Sequence, residues 1–279
     1  MITIGLTGWS DHPLIQRNRS KKLEDYASHF PVVELDTPFY AIPSLANTTS
    51  WADKTPSNFS FIPKVYSKMT LHQPFSPEFD SMKEVFDAYL EAMAPLIEAN
   101  KITTFLFQFP PYMECTRQNV NYLKYIKAHM QNLPVAVEFR HPSWFTDETK
   151  GKTLQLLTDL QFSHVVVDQP QTPHNSIPQV VECTNAQLSM IRLHGRNYEG
   201  WAGGKEVQDW RVQRTLYDYS DDELLEFKDH VDALQKQSSH ITIIFNNNSG
   251  GHAAKNAKRL QELLGLSFDY LGPRQLDLF

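Results

Sequence analysis

Short runs of β-branched and aromatic residues alternate along the chain with longer stretches whose apolar positions recur every three or four residues. The first pattern predicts strands and the second amphipathic helices. Eight strands are predicted: Ile2 to Gly8, Val32 to Asp36, Phe59 to Lys64, Thr104 to Phe109, Val135 to Arg140, His164 to Asp168, Ser189 to His194 and Thr242 to Asn246. Met82, Val85, Phe86, Tyr89 and Met93 share one helical face, as do Leu224, Phe227, Val231 and Leu234. Pro95 is expected to kink or end the first of these helices, and the Asp221-Asp222-Glu223 cluster suits the positive end of the second. Strand and helix in alternation predict an α/β fold, a (β/α)8 TIM-type barrel with a parallel, closed, eight-stranded sheet. A doubly wound open sheet is the structural alternative. One domain is expected over residues 1–271, with a tail over 272–279. The stretch Gln169 to Gln187 reads as a loop insertion.

Side chains alternate across a strand, so one parity faces the helices and the other the barrel interior. Glu34, Lys64, Gln108, Glu138 with Arg140, Asp168, Arg192 with His194, and Asn246 fall at the ends of the parities assigned inward. Barrel enzymes build their sites at that C-terminal end. These polar groups are therefore expected to ring one mouth. The plain alternative is that they pair with one another and close the top of the barrel, because buried ions need partners.

Composition narrows the partners. The 279 residues are 41% hydrophobic, enough for a large core, and the net charge of -6 excludes a polycationic surface for nucleic acid or anionic lipid. No basic leader and no apolar run long enough for a membrane helix is found, so a cytoplasmic protein without a membrane partner is expected. Cys115 and Cys183 stand apart without a CxxC or Cys/His cluster, which signals neither a disulfide framework nor a zinc knuckle.

Chemistry follows from residue types. Glu34, Lys64, Glu138, Asp168 and His194 are the candidates for proton transfer, with His194 foremost because an ordinary imidazole titrates near neutrality. Arg140, Arg192 and Arg196 carry planar donor forks suited to phosphate or carboxylate. Asn246, Asn247 and Gly251 lie in a loop that leads into a helix after the last strand, a place where barrels hold phosphate. Trp9 and Tyr40 follow strand ends and offer rings for a base or sugar. No cofactor is certain. A divalent metal on Glu138, Asp168 and His194 stays open, although no HExxH-like spacing supports it.

The segments GLTGW, VELDTPFY, LFQFPP, EFRHPSW, RLHGR and FNNNSGGHAAKNA, with Trp51 and TPSNF, occur in order along the chain. In these the chain resembles the YecE-like family, also catalogued as domain of unknown function seventy-two, and within it the YunF-like branch. The resemblance implies a TIM-type barrel and names no reaction.

The last residues, RQLDLF, resemble the glutamine-leucine-x-leucine-phenylalanine peptide by which bacterial replication and repair proteins grip the DNA sliding clamp. Leu276, Leu278 and Phe279 would fill an apolar groove and Gln275 would offer its amide to the edge. The alternative is a segment that folds back on the barrel. Three functions remain: a hydrolase or lyase on a phosphate-bearing substrate, small or nucleic acid, linked to the clamp; an isomerase or glycosidase for a sugar or sugar phosphate; and a non-enzymatic anion-binding adaptor.

Overall fold

The computed structural model describes residues 1–17, 20–73, 78–173, 176–203, 209–268 and 270–273. Gln275, Leu276, Leu278 and Phe279 lie outside the described residues. Eight parallel strands run β1 (Ile2–Thr7), β2 (Val32–Leu35), β3 (Ser60–Pro63), β4 (Phe105–Gln108), β5 (Val135–Glu138), β6 (Ser163–Asp168), β7 (Ser189–Leu193) and β8 (Ile241–Phe245). Their order is β3-β2-β1-β8-β7-β6-β5-β4. Bridges Phe61 to Ile102 and Lys64 to Leu106 join the two ends, so the sheet curls into a nearly closed barrel. These bridges between the two end strands exclude the open doubly wound alternative.

The outer layer comprises α1 (Lys22–Ala27), α2 (Thr37–Tyr40), α3 (Leu45–Asp53), α4 (Met82–Glu98), α5 (Arg117–Met130), α6 (Lys150–Asp159), α7 (Tyr198–Ala202), α8 (Trp210–Thr215), α9 (Asp221–Leu234) and α10 (His252–Leu263). The connection from β6 to β7 carries no helix among the described residues. Pro95 neither ends nor breaks α4, which continues to Glu98; the buried face formed by Val85, Phe86, Tyr89 and Met93 holds the helix against the sheet. At α9 the predicted acidic start is a complete capping box, Ser220 with Glu223.

Register decides what faces inward. Thr7 pairs with Glu34, Glu34 with Ile62, Gln108 with Glu138 and Arg192 with Ile244, so these side chains share the interior face. Two residues earlier on the same face, Val32, Leu106, Ala136 and Met190 are all buried and form an apolar plug beneath the polar ring. Strand β6 departs from the expected parity. Ala136 pairs with Ser163, and Val167 pairs with Arg192, so Val165 and Val167 face inward while Asp168 faces the helices. A run of three valines carries no polar cue to its own facing, and neighbouring register alone settles it.

Candidate active site at the barrel mouth

At the C-terminal end of the barrel, Arg192 spans the interior. Its Nε and Nη2 donate to the two oxygens of Glu34 at 2.7 and 2.6 Å. Nη1 donates to Glu138 Oε2 and, at 3.2 Å, to Gln108 Oε1. Arg140 comes from the residue pair beyond β5 and donates from Nε to Glu138 Oε1 at 2.6 Å. Thr7 Oγ1 adds a bond to Glu34 at 3.2 Å. Both carboxylates are wholly buried, 0% exposed. Two glutamates and two arginines thus form a closed network, which is how a low-dielectric interior tolerates four charges.

The two glutamates titrate differently. Burial pushes Glu34 up, and Arg192 only partly offsets it. Burial acts on Glu138 as well, but there the charges of Arg140 and Arg192 outweigh it and hold the carboxyl well below the usual range. His194 sits over this network. Its Nε2 lies 3.1 Å from Arg140 Nη2 and 3.3 Å from Glu138 Oε1, and its Nδ1 lies 2.8 Å from Asn246 Nδ2. Burial first, and then Arg140, depress its pKa to about 3. The ring is neutral at physiological pH, which corrects the expectation of an imidazole titrating near neutrality.

Lys64 extends from the end of β3 to within 3.6 Å of Asp36 and lies 4.3 Å above the Phe39 ring. Trp201 on α7 covers the network: its ring meets His194 at 5.9 Å and stacks between Arg140 at 5.0 Å and Arg214 at 4.1 Å. Gly200, just before it, allows this cover to form. A Cβ there would come 2.6 Å from the backbone of Gln213 on α8, so only glycine permits the two helices to touch.

Asp168 and Arg196 belong to a neighbouring cluster outside the barrel wall. Arg196 Nε donates to both Asp168 oxygens at 2.9 and 3.1 Å, and its Nη groups reach Glu223 and Glu226 of α9. The Tyr219 hydroxyl donates to Asp168 Oδ2 at 2.7 Å and accepts the Gly195 N–H at 2.8 Å. Burial raises the Asp168 pKa against the pull of Tyr219 and Arg196. A cavity of about 500 Å³ opens beside this cluster, lined by Asp168, Gln169, Pro170, Gln179 and Arg196.

The metal set considered from the sequence is not assembled. Asp168 faces away from Glu138 and His194, the oxygens of both carboxylates are held by arginines, and no group of three or more His, Cys, Asp or Glu among the described residues converges on a point. The β8–α10 loop also differs from expectation. Asn247 is buried and donates to Tyr217 O and Asn256 Oδ1, while Asn248 donates to Thr7 O. The Gly251 N–H bonds Asn248 O at 3.0 Å. These groups staple the loop to the barrel and leave the Gly251 donor engaged. Trp9 packs on Trp51 at 5.7 Å in a separate surface depression, whereas Tyr40 is 65% exposed.

The family described as Protein of unknown function DUF72 matches residues 3–276. The chain belongs to the DUF72 family. It is 44% identical to UPF0759 protein YunF of Bacillus subtilis (strain 168) over the full length of both chains. UPF0759 protein YecE of Escherichia coli (strain K12) is 31% identical over 154 residues, which cover 55% of this chain and 54% of that one. A crystal structure of a DUF72 family protein from Enterococcus faecalis V583 superposes with a TM-score of 0.94 at 41% identity, covering 99% of this chain and all of that one. A Thermotoga maritima MSB8 relative in the same family superposes at 0.80 with 28% identity, covering 95% of this chain and all of that one.

Within this DUF72 barrel, three residues at the mouth escaped the strand-parity argument: Arg214, His72 and Gln169. Arg214 stands on α8, far from any strand end, and its guanidinium forms no ion pair among the described residues. Burial, followed by repulsion from Arg140, lowers its pKa to about 10. His72 lies in the loop after β3 and meets Phe39 edge-on at 4.9 Å. Gln169 takes an Arg140 Nη1 hydrogen on Oε1 at 3.2 Å and so links the network to the cavity beside Asp168.

Proposed function

We propose that the mouth binds a phosphate- or carboxylate-bearing substrate and that the DUF72 barrel acts on it as a hydrolase or lyase. The observation that carries this reading is Arg214, a cation stacked on Trp201 beside Arg140 with no ion-pair partner among the described residues. Four cations, Lys64, Arg140, Arg192 and Arg214, stand against three carboxylates, Glu34, Asp36 and Glu138. An anion placed among them would balance the excess charge. The buried network supports catalysis over passive storage, because rigid, desolvated charges are costly to hold and are found where charge develops in a reaction.

A glycosidase needs two carboxyl groups free to face the sugar. Glu34 and Glu138 are both held by Arg192, so the sugar reading has less support. Nucleic acid as the phosphate source, and the sliding clamp as partner, rest on the QLDLF peptide alone.

Calorimetric titration with inorganic phosphate and with a short single-stranded oligonucleotide, at low and high salt, tests the proposal. Arg214→Ala is expected to weaken phosphate binding about tenfold, the loss of one charge-assisted contact. Absence of phosphate binding to the intact chain at low salt would overturn it, and oligonucleotide binding that weakens steeply with salt would identify nucleic acid as the source.

A further inference from the structure

His72 is a half-buried imidazole with no position in the strand pattern, yet three loops converge on it. The Ser67 N–H bonds Phe39 O at 2.9 Å, which ties the loop after β3 to the one after β2. The Tyr112 hydroxyl donates to Leu71 O at 2.7 Å, which ties it to the loop after β4. His72 and Lys64 then share the Phe39 ring, the imidazole perpendicular to it at 4.9 Å and the ammonium over it at 4.3 Å.

The hydrogen bonds of its neighbour accommodate a tautomer with a free Nε2 lone pair. Thr70 Oγ1 has one hydrogen and lies 3.2 Å from Ser67 O and 2.8 Å from His72 Nδ1. With that hydrogen on Ser67 O, Thr70 accepts from an Nδ1–H, and Nε2 then holds a lone pair with no partner among the described residues. The groups acting on the ring are Lys64 from the end of β3 and Arg140 from beyond β5; Phe39 is apolar, and Tyr112 is engaged with Leu71 O.

We propose that His72 is the proton acceptor of the anion site, its Nε2 taking a hydrogen bond, and on reaction the proton, from a hydroxyl of the bound ligand. This rests on the anion reading above and adds the group that would receive the proton. Burial, then Lys64 and Arg140, hold the free imidazole at a pKa of about 4, so it is neutral and ready to accept. An anion seated between Lys64 and Arg140 screens that repulsion and raises the pKa, so binding and proton uptake are linked.

Nitrogen-15 NMR of the imidazole rings, with His72→Asn for assignment, tests the tautomer without ligand. The expected result is a neutral ring with hydrogen on Nδ1 from pH 5 upward. Hydrogen on Nε2, or an imidazolium at pH 6, overturns the proposal. Titration with inorganic phosphate tests the acceptor role. His72 resonances are expected to shift and its pKa to rise, and His72→Asn to weaken phosphate binding at pH 6 about fivefold, the worth of one hydrogen bond. Calorimetry in buffers of different ionisation enthalpy should register proton uptake for the intact chain and none for His72→Asn. Phosphate that binds while leaving His72 unmoved, or uptake that survives His72→Asn, overturns the His72 role alone. No phosphate binding removes the anion site as well, so the two failures are distinct.

Discussion

Asp168 and Glu138 stand at the ends of adjacent strands and point to opposite sides of the barrel wall. Glu138 turns inward to Arg140 and Arg192, while Asp168 turns outward to Tyr219 and Arg196. Two carboxylates that look equivalent in sequence therefore serve different networks. Asp168→Asn is expected to leave phosphate binding at the mouth unchanged and to lower stability by about 1–3 kcal/mol, as Arg196 loses its buried partner. Paired titration and denaturant unfolding check this; a large loss of phosphate binding would place Asp168 in the mouth after all.

Among the described residues, Arg192 is the one cation that touches both buried glutamates. Arg192→Ala would leave their charge partly uncompensated, at a cost of about 3–5 kcal/mol. Urea unfolding of the intact chain and the variant measures it. A loss below about 1 kcal/mol would mean that the carboxylates escape to water or take up protons cheaply.

Acid should destabilise the fold through its buried histidines. The pKa of His194 is held at about 3 and that of His164 at about 4, both by burial first. An unfolded histidine binds its proton near pH 6.5, so below that pH the unfolded chain holds more protons. The neutral rings therefore contribute full stability above about pH 6.5, and it is lost as pH falls toward 4, by up to about 1.4 kcal/mol per pH unit for each ring. Unfolding midpoints measured from pH 7 to pH 4 should fall, and His164→Gln should flatten the slope. A flat profile down to pH 4 would contradict the burial argument.

Gly200 should not tolerate a methyl group. Its missing Cβ would stand 2.6 Å from the Gln213 carbonyl, so Gly200→Ala must separate α7 from α8 and lift Trp201. The expected cost is about 1–3 kcal/mol, together with a red shift of tryptophan emission as the indole meets water. Unchanged emission would mean that Trp201 does not depend on this contact.

The C-terminal peptide predicts a partner. Pull-down with the bacterial sliding clamp should recover the intact chain and lose the version ending at Pro273. Equal recovery of both removes the clamp reading.

Much of the barrel was legible in the linear pattern, because parallel strands buried on both faces need continuous apolar runs and their connections need amphipathic helices. Glu34, Glu138, Arg192 and His194 were legible too. Each follows an apolar residue of opposite parity at a strand end, so alternation sends it inward. The facing of β6 was not, since Val165, Val166 and Val167 put valine on both faces; only its register with β5 and β7 turned Asp168 outward. Arg214 and His72 were hidden for a different reason. Connecting loops and the short helices within them lie outside the strand period, so what they bring to the mouth depends on long-range contacts such as Phe39 with His72 and Trp201 with Arg214. Local sequence determined the elements and which polar groups end them. Tertiary structure decided which charges found partners, how far burial moved their protons, and which cation was left without an ion-pair partner among the described residues.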